Sequence, residues 1–158
     1  RLVIVDQSSG DPQLNKAAAD RIIARIFEEN RNRFRNAQVP PDILVYVEEA
    51  HNILPAASEL DLGDIWVRTA KEGAKYHIGM VYSTQSPTTV YRDLLAQTEN
   101  FFIAHLSSRD EVAALARLNV AYQSLQDDIL MAKTPGYMRM LTRSHRFVVP
   151  VQAKKFTP

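Results

Sequence analysis

Short apolar runs alternate with helical patterns along most of the chain. Each run is rich in branched or aromatic residues and ends in turn residues, as strands buried in a parallel sheet do. The runs predict four strands, over 2–5, 43–47, 77–83 and 101–106. Between them, apolar residues recur at three- and four-residue spacing, which is typical of helices that cover a sheet. We therefore predict an α/β fold in which helices flank a parallel sheet.

The first helix has a clear start and a clear stop. Asp11 and Pro12 supply a cap and a first-turn proline, and Pro40 and Pro41 end the helix. The apolar positions that we expect to face the core are Ala18, Ile22, Ile26 and Phe27. The last turns are basic, with Arg31, Arg33 and Arg35. We interpret these cations as complements of the helix dipole, and a contact with DNA phosphates is the alternative.

The later elements follow similar signals. Ser108-x-x-Glu111 is a capping box, in which Glu111 is expected to reach back to the start of its helix. A C-terminal β-hairpin is predicted beyond the turn at Pro135 and Gly136. The other helices are predicted over 58–71, through 90–95, from 108 to 118 and over 123–133, and the hairpin strands over 137–141 and 147–151.

Composition narrows the class of protein. With 158 residues, 46% apolar and 23% charged, the chain fits one soluble globular domain over 1–158. No apolar run approaches the roughly 18 residues of a membrane span, so no membrane is expected. The sequence contains no cysteine, which excludes disulfides and Cys-ligated metals and suits the reducing cytoplasm. The chain opens inside a predicted strand without Met, so we expect a piece of a longer protein.

Two acidic residues directly follow the second predicted strand. In an open α/β sheet, ligands bind beyond the carboxyl ends of the strands, where Glu48 and Glu49 come. Carboxylates on successive residues point in different directions once the strand ends. One can therefore hold Mg²⁺, directly or through water, while the other orients an attacking water. A solvated turn is the alternative interpretation of this pair.

The next predicted strand ends in an uncharged polar residue, Gln85. A glutamine at the tip of a neighbouring strand can reach a γ-phosphate or the water that attacks it. Taken alone, Gln85 is better explained as a turn residue that caps the helix after Pro87. Gln85 supports a nucleotide site because it ends the predicted strand that comes next after the strand with the two acids.

Together these segments resemble consecutive motifs of the HerA/FtsK superfamily of additional-strand P-loop ATPases. LVYVEEAH over 44–51 is similar to its "EEAH" Walker B motif, AKEGAKYHIG over 70–79 to its basic "REGRKYG" segment, and STQSP over 83–87 to "ATQRP". The resemblance covers about residues 1–150 and implies the C-terminal part of a RecA-like motor core. It implies ATP and Mg²⁺ as cofactors.

The resemblance also implies roles for individual residues. Glu48 takes the Mg²⁺ position, through water or directly, Glu49 is the general base, and Gln85 senses the γ-phosphate. Candidate cationic contacts to the nucleotide are Arg68, Lys71 and Arg109. The chain departs from the family at Ser86, Lys71 and Ala74, where arginine or another basic residue is common. Lysine cannot reproduce the donor fork of an arginine finger, so Arg68 and Arg109 are the candidates for a finger supplied to a neighbouring subunit.

The resemblance implies the assembly and partners of a DNA-pumping motor. The subunits would form a hexameric ring, double-stranded DNA would be the substrate, and a nuclease is a candidate partner. The phosphate-binding sequence G-x-x-x-x-G-K-[ST] occurs nowhere in the 158 residues. We therefore expect the Walker A half from the remainder of the protein's own chain, and no ATPase activity from residues 1–158 alone. We also expect the strands at 2–5, 43–47 and 77–83 to lie side by side, with the fourth strand lacking a neighbour.

Other functions compete with this interpretation. The chain could be a non-catalytic, ATPase-like module for oligomerisation or partner docking, with its Lys154-Lys155-Phe156 tail docking on a neighbour. Glu48-x-x-His51 matches half of a di-iron motif, but it follows a strand and has no second copy. We expect His51 to pack beside the acids. A dinucleotide-binding fold would need G-x-G-x-x-G after the first strand, which Ser8-Ser9-Gly10-Asp11 does not supply.

Overall fold

The computed structural model describes residues 1–6, 10–55, 63–145 and 147–157. The chain divides into two compact units, residues 1–84 and 85–158, which we describe one at a time. Whether the chain acts as a single domain stays a prediction. None of the helices in these described ranges combines the length and the apolar character that crossing a membrane needs.

The first unit is a two-stranded parallel sheet with helices. Its elements are α1 (Pro12–Arg35), β1 (Ile43–Val47), a 3₁₀ turn (Ala50–Asn52), α2 (Ile65–Glu72), a second 3₁₀ turn (Gly73–Tyr76) and β2 (Ile78–Tyr82). The parallel pairing runs from Ile43 opposite Ile78 to Val47 opposite Tyr82. The α/β class, with a parallel sheet flanked by helices, is confirmed.

The helix α1 begins where the sequence predicts. The carboxylate of Asp11 accepts hydrogen bonds from the backbone N–H groups of Gln13 and Leu14, at 2.9 and 3.2 Å. Pro12 takes the first helical position, where its missing N–H costs nothing. The buried face differs from the predicted one by about one residue, and its members are Ala19, Ile23, Phe27 and Asn30.

The core of the first unit forms where α1 meets the turn before β2. The Phe27 ring meets the Tyr76 ring edge-on, with centroids 5.2 Å apart. Asn30, 1% exposed, donates through Nδ2 to the carbonyl oxygens of Pro41 and Tyr76, at 3.0 and 2.8 Å. A single amide thus joins α1 to the chain entering β1 and to the chain entering β2.

The predicted strand at 2–5 is wrong. Residues 1–6 carry no regular secondary structure, and the Leu2 and Ile4 side chains are 84% and 83% exposed. A strand is held by a hydrogen-bonded neighbour and by cover on its faces, and the described residues give this run neither. The expected row of three adjacent strands is therefore wrong as well, and only β1 and β2 pair.

The helix predicted over 58–71 is confirmed in its second half. Its expected start falls within 56–62, outside the described residues, and α2 begins at Ile65. Asp64 caps α2 by accepting from the N–H groups of Trp66 and Val67, at 2.7 and 3.3 Å. Gly73 is the C-cap of α2, and glycine is needed there because a Cβ would lie 2.9 Å from the Ile78 carbonyl oxygen.

The second unit packs short helices with an antiparallel sheet. Its elements are a 3₁₀ turn (Pro87–Thr89), α3 (Arg92–Ala96), β3 (Phe101–Ile103), α4 (Arg109–Leu118), a 3₁₀ segment (Val120–Leu125), α5 (Gln126–Met131), β4 (Tyr137–Leu141) and β5 (Val149–Gln152). The strand order is β3-β4-β5, which confirms the C-terminal hairpin. The predicted fourth strand, observed as β3, has β4 as its neighbour. The core comprises Val112, Leu115, Tyr122, Ile129 and Leu141.

The predicted capping box at Ser108 is wrong in its chemistry. Ser108 occupies the cap position of α4, but its side chain makes no capping hydrogen bond. The Glu111 carboxylate instead accepts from the N–H and the hydroxyl of Thr88, at 2.8 and 2.6 Å. These two donors satisfy Glu111, so it fastens the 3₁₀ turn at 87–89 to the start of α4.

Candidate functional site

The two candidate acids come directly after the buried end of β1. Val47 is buried, Glu48 is exposed, and Glu49 is partly exposed. Glu49 lies in the left-handed region, with φ 47° and ψ 50°, and starts the 3₁₀ turn at Ala50. A non-glycine residue in this conformation is uncommon and clusters at functional sites. The reversal at Glu49 separates the paths of two side chains that are neighbours in sequence.

Backbone hydrogen bonds continue beyond the paired strands and fix the turn that carries the acids. The Ser83 N–H donates to the Val47 carbonyl at 3.0 Å, and the Ala50 N–H donates to the Ser83 carbonyl at 2.8 Å. Ala50 is completely buried. The carboxyl ends of β1 and β2 are thereby held together, and the acids lie at the sheet edge where α/β proteins bind ligands.

His51 contacts one acid and the tip of the neighbouring strand. Its Nδ1 atom lies 3.5 Å from Glu49 Oε2 and 3.3 Å from Thr84 Oγ1. The Oε2 atom is buried although the Glu49 side chain is 46% exposed. His51 therefore packs beside the acids, as expected. The sequence argument missed Thr84, whose only signal was its position immediately before Gln85 at a strand tip.

The candidate metal ligands at this edge of the sheet are the two carboxylates. The described ranges contain no group of three or more His, Asp or Glu residues placed to hold a metal ion. The di-iron interpretation therefore has no support from these residues. Glu48 and Glu49 offer carboxylate oxygens, and Mg²⁺ is typically held by one or two carboxylates together with waters and substrate phosphates.

The remaining candidates are distributed over both units. Arg68 lies on α2 with its guanidinium carbon 4.6 Å from the centre of the Phe27 ring, which gives it a packing role. Lys71 is exposed in the last turn of α2. Gln85 is the first residue of the second unit, and Arg109 is the exposed first residue of α4. The grouping of Gln85 and Arg109 with the acids stays a prediction.

The fold is that of P-loop NTPases. The genome packaging NTPase of Sulfolobus turreted icosahedral virus 2, in complex with AMPPCP, superposes with a TM-score of 0.62 at 7% identity, over 83% of this chain and 60% of that one. The same enzyme in complex with ATP-gammaS gives 0.57 at 8% identity, over 68% and 50%. No protein-family model matches the sequence.

Sequence similarity points to a narrower group of proteins than the fold does. It is 35% identical over 88 residues to the DNA double-strand break repair helicase HerA of Pyrococcus furiosus, over 55% of this chain and 16% of that protein. It is 27% identical over 111 residues to a probable HerA of Methanocaldococcus jannaschii, over 68% and 21%. The chain thus spans about a fifth or less of these relatives. The resemblance to HerA-type ATPases that the motifs predict is confirmed.

Proposed function

We propose that this chain supplies the Walker B acids and the sensor glutamine of an ATP-driven DNA translocase of HerA type. One observation carries the proposal most directly. Glu48 and Glu49 follow β1 at the carboxyl edge of a parallel sheet, in a chain whose sequence is similar to HerA. Ligands bind at that edge in open α/β folds.

The proposed roles divide the reaction between metal, base and sensor. Glu48 would hold Mg²⁺, directly or through a water, Glu49 would accept a proton from the attacking water, and Gln85 would contact the γ-phosphate. Phosphoryl transfer needs little covalent chemistry from the protein, so positioning and charge provide most of the acceleration. The left-handed turn at Glu49 supports different tasks for the two acids because it diverts the chain between them.

ATP and Mg²⁺ are the proposed cofactors. The viral relative was determined with AMPPCP and with ATP-gammaS, which supports an adenine nucleotide as the ligand of the shared fold. The phosphate cradle is expected from the Walker A half of the protein, since the 158 residues contain no such loop. By this argument residues 1–158 alone hydrolyse no ATP.

The proposed assembly and partners follow from the relatives. Both curated relatives are named as helicases of DNA double-strand break repair or as probable ones, which supports double-stranded DNA as the polymer. A hexameric ring in the cytoplasm, with catalytic sites shared between subunits and a nuclease as partner, completes the proposal.

The experiment is ATP hydrolysis by the protein at its full natural length, with and without double-stranded DNA. Glu49→Gln should lower kcat by about 100-fold or more with KM for ATP nearly unchanged, because it removes a base that acts only in the transition state. Glu29→Gln, an exposed change on α1, is the matched control and should keep wild-type turnover.

The outcomes separate the candidate functions. Stimulation by double-stranded DNA would favour a translocase over an ATPase that acts on another substrate. Full turnover by Glu49→Gln would remove Glu49 as the base. A wild-type protein that binds no nucleotide and hydrolyses none would favour the alternative, a non-catalytic oligomerisation or docking module.

A further inference from the structure

We propose that His51 and Thr84 are positioning residues that couple the general base to the sensor strand. Both Glu49 Oε2 and Thr84 Oγ1 lie within 3.5 Å of the same ring nitrogen, His51 Nδ1. Thr84 directly precedes Gln85, the proposed sensor. The inference rests on the proposed ATPase function, and it assigns tasks to two residues that the function itself leaves without one.

A single imidazole nitrogen lies beside two possible acceptors. Nδ1 of a neutral imidazole carries at most one hydrogen, and a carboxylate and a hydroxyl oxygen can both accept it. The 3.3 Å contact with Thr84 is at the long end of hydrogen-bonding range, and the 3.5 Å separation from Glu49 is an ion-pair distance, longer than an ordinary N–H···O hydrogen bond. In the proposed mechanism the Nδ1 hydrogen goes either to Thr84 or to Glu49, and the orientation of the Thr84 side chain decides between these two states.

The backbone around the ring is held still, which leaves the side chains to make the change. The Ala50 N–H and the Ser83 N–H are both fixed across the strand ends, and Ala50 is fully buried. Thr84 is the first residue after this fixed point. A torsional change at Gln85 on nucleotide binding would therefore move Thr84, whereas Ser83 is held in place by its backbone hydrogen bonds to Val47 and Ala50.

The two states differ in what Glu49 can do. When Thr84 accepts the Nδ1 hydrogen, the Glu49 carboxylate is released from the ring and is available to the attacking water. When Thr84 rotates away, the ring holds Glu49 Oε2 and keeps this oxygen from the attacking water. Binding of a γ-phosphate by Gln85 selects the first state, so the base becomes active only with ATP in place.

A double-mutant cycle on the full-length protein tests the coupling. Thr84→Val removes the hydroxyl at nearly constant volume and should lower kcat about tenfold with an unchanged KM, because Glu49 then stays on the ring. In a His51→Ala background the same change should have no further effect, because no ring is left to hold Glu49. Thr84→Ser, which restores the hydroxyl, should return kcat to near the wild-type value.

The outcomes distinguish this inference from a packing role and from the function itself. Additive losses in the cycle, or equal losses in Thr84→Val and Thr84→Ser, would overturn the coupling while ATPase activity stands. If the wild-type protein hydrolyses no ATP, the proposed function fails and the kinetic coupling fails with it. Nitrogen-15 NMR spectra of the His51 ring then test the hydrogen bond between His51 and Thr84 on its own. A protonated Nδ1 whose signal changes in Thr84→Val supports the hydrogen bond, and a signal that does not change overturns it.

Discussion

The indole nitrogen of Trp66 donates a hydrogen bond to Asp20 Oδ1 at 2.7 Å, and this bond joins α2 to α1. Trp66 is only 2% exposed, so its N–H cannot find water if the acceptor is lost. The other oxygen of Asp20 accepts from Lys16 Nζ at 3.1 Å, one turn earlier on α1. A charged residue on a helix face thus serves as the acceptor for a buried indole.

Removal of that acceptor should destabilise the first unit measurably. We expect Asp20→Ala to lower the free energy of unfolding by about 1–3 kcal/mol, since it leaves a buried donor unsatisfied. Asp20→Asn keeps an acceptor oxygen and should cost less. Urea unfolding followed by tryptophan fluorescence measures both, because Trp66 is the only tryptophan in the sequence. Equal stabilities for Asp20→Ala and Glu29→Ala would contradict the assignment.

Asn30 allows a sharper test because both neighbours of its amide nitrogen are carbonyl oxygens, which can only accept hydrogen bonds. Asn30→Asp places a carboxylate against the carbonyl oxygens of Pro41 and Tyr76 and should cost about 3 kcal/mol or more at pH 7. Asn30→Leu leaves the same carbonyls unsatisfied without adding a charge, and it should cost less. The difference should shrink in acid, because a protonated Asp regains a donor.

Chemical denaturation of these variants at pH 7 and pH 4 checks the order. Asn32→Asp, at an exposed position of the same helix, is the control and should change stability by under about 1 kcal/mol. An Asn30→Asp protein as stable as Asn30→Leu at pH 7 would refute the donor argument.

Asp20 and Asn30 explain why the sequence predicted the position of helix α1 better than it predicted which face of α1 is buried. The cap at Asp11 and the apolar spacing are local signals, and they placed the helix correctly. The inward face includes Asn30 and borders Asp20, which are polar residues with partners on distant segments. Partners 46 residues away leave no trace in local periodicity. The prediction therefore placed Ile22 on the buried face, whereas the Ile22 side chain is 40% exposed in the structure.

The same limit applies to strands and to the candidate site. The run at 2–5 has strand composition, but composition cannot supply the neighbour that a strand requires. For the site, the pattern of a buried strand followed by two acids was enough to locate Glu48 and Glu49 at the sheet edge. The left-handed backbone at Glu49 and the contact of His51 with Thr84 depend on how β1 and β2 end side by side. Those features arise from tertiary contacts that local sequence patterns do not record.

Tyr122 should make the stability of the second unit sensitive to alkali. Its side chain is completely buried, and within the described residues its hydroxyl has no hydrogen-bond partner. Burial raises the pKa of Tyr122 to about 12, from 10. Below pH 10 the phenol is neutral in both states, so its burial stabilises the fold fully. As the pH rises toward 12, the unfolded chain ionises first and stability falls, by about 2 kcal/mol in total.

Tyr122→Phe isolates this contribution from the lysines that titrate in the same range. The variant should be as stable as the wild type at neutral pH, or slightly more stable, because it removes an unsatisfied hydroxyl. Its advantage should grow between pH 10 and pH 12. Melting temperatures of both proteins across that range test the point, and parallel curves would show that the hydroxyl reaches water or a partner.

The candidate arginines differ in a way that separates catalysis from packing. Arg68 lies over the Phe27 ring, so Arg68→Gln should lower stability by about 0.5–1 kcal/mol whatever its effect on turnover. Arg109 is exposed at the first position of α4, where a cation opposes the helix dipole. Arg109→Gln should therefore leave stability equal or slightly higher. A large loss of kcat in Arg109→Gln, with an unchanged melting temperature, identifies an arginine finger.

Mixing experiments then show whether Arg109 acts on its own subunit or on a neighbour. In a ring, each site between subunits pairs one surface of a subunit with a different surface of the next. Mixed Arg109→Gln and Glu49→Gln subunits would restore sites wherever an intact Glu49 meets an intact Arg109, about a quarter of the total for random mixing in equal amounts. Recovery near that level places Arg109 in trans, because each inactive subunit then supplies the group that its neighbour lacks. No recovery from a mixture that still assembles would assign Arg109 to its own subunit, since no variant chain carries both groups.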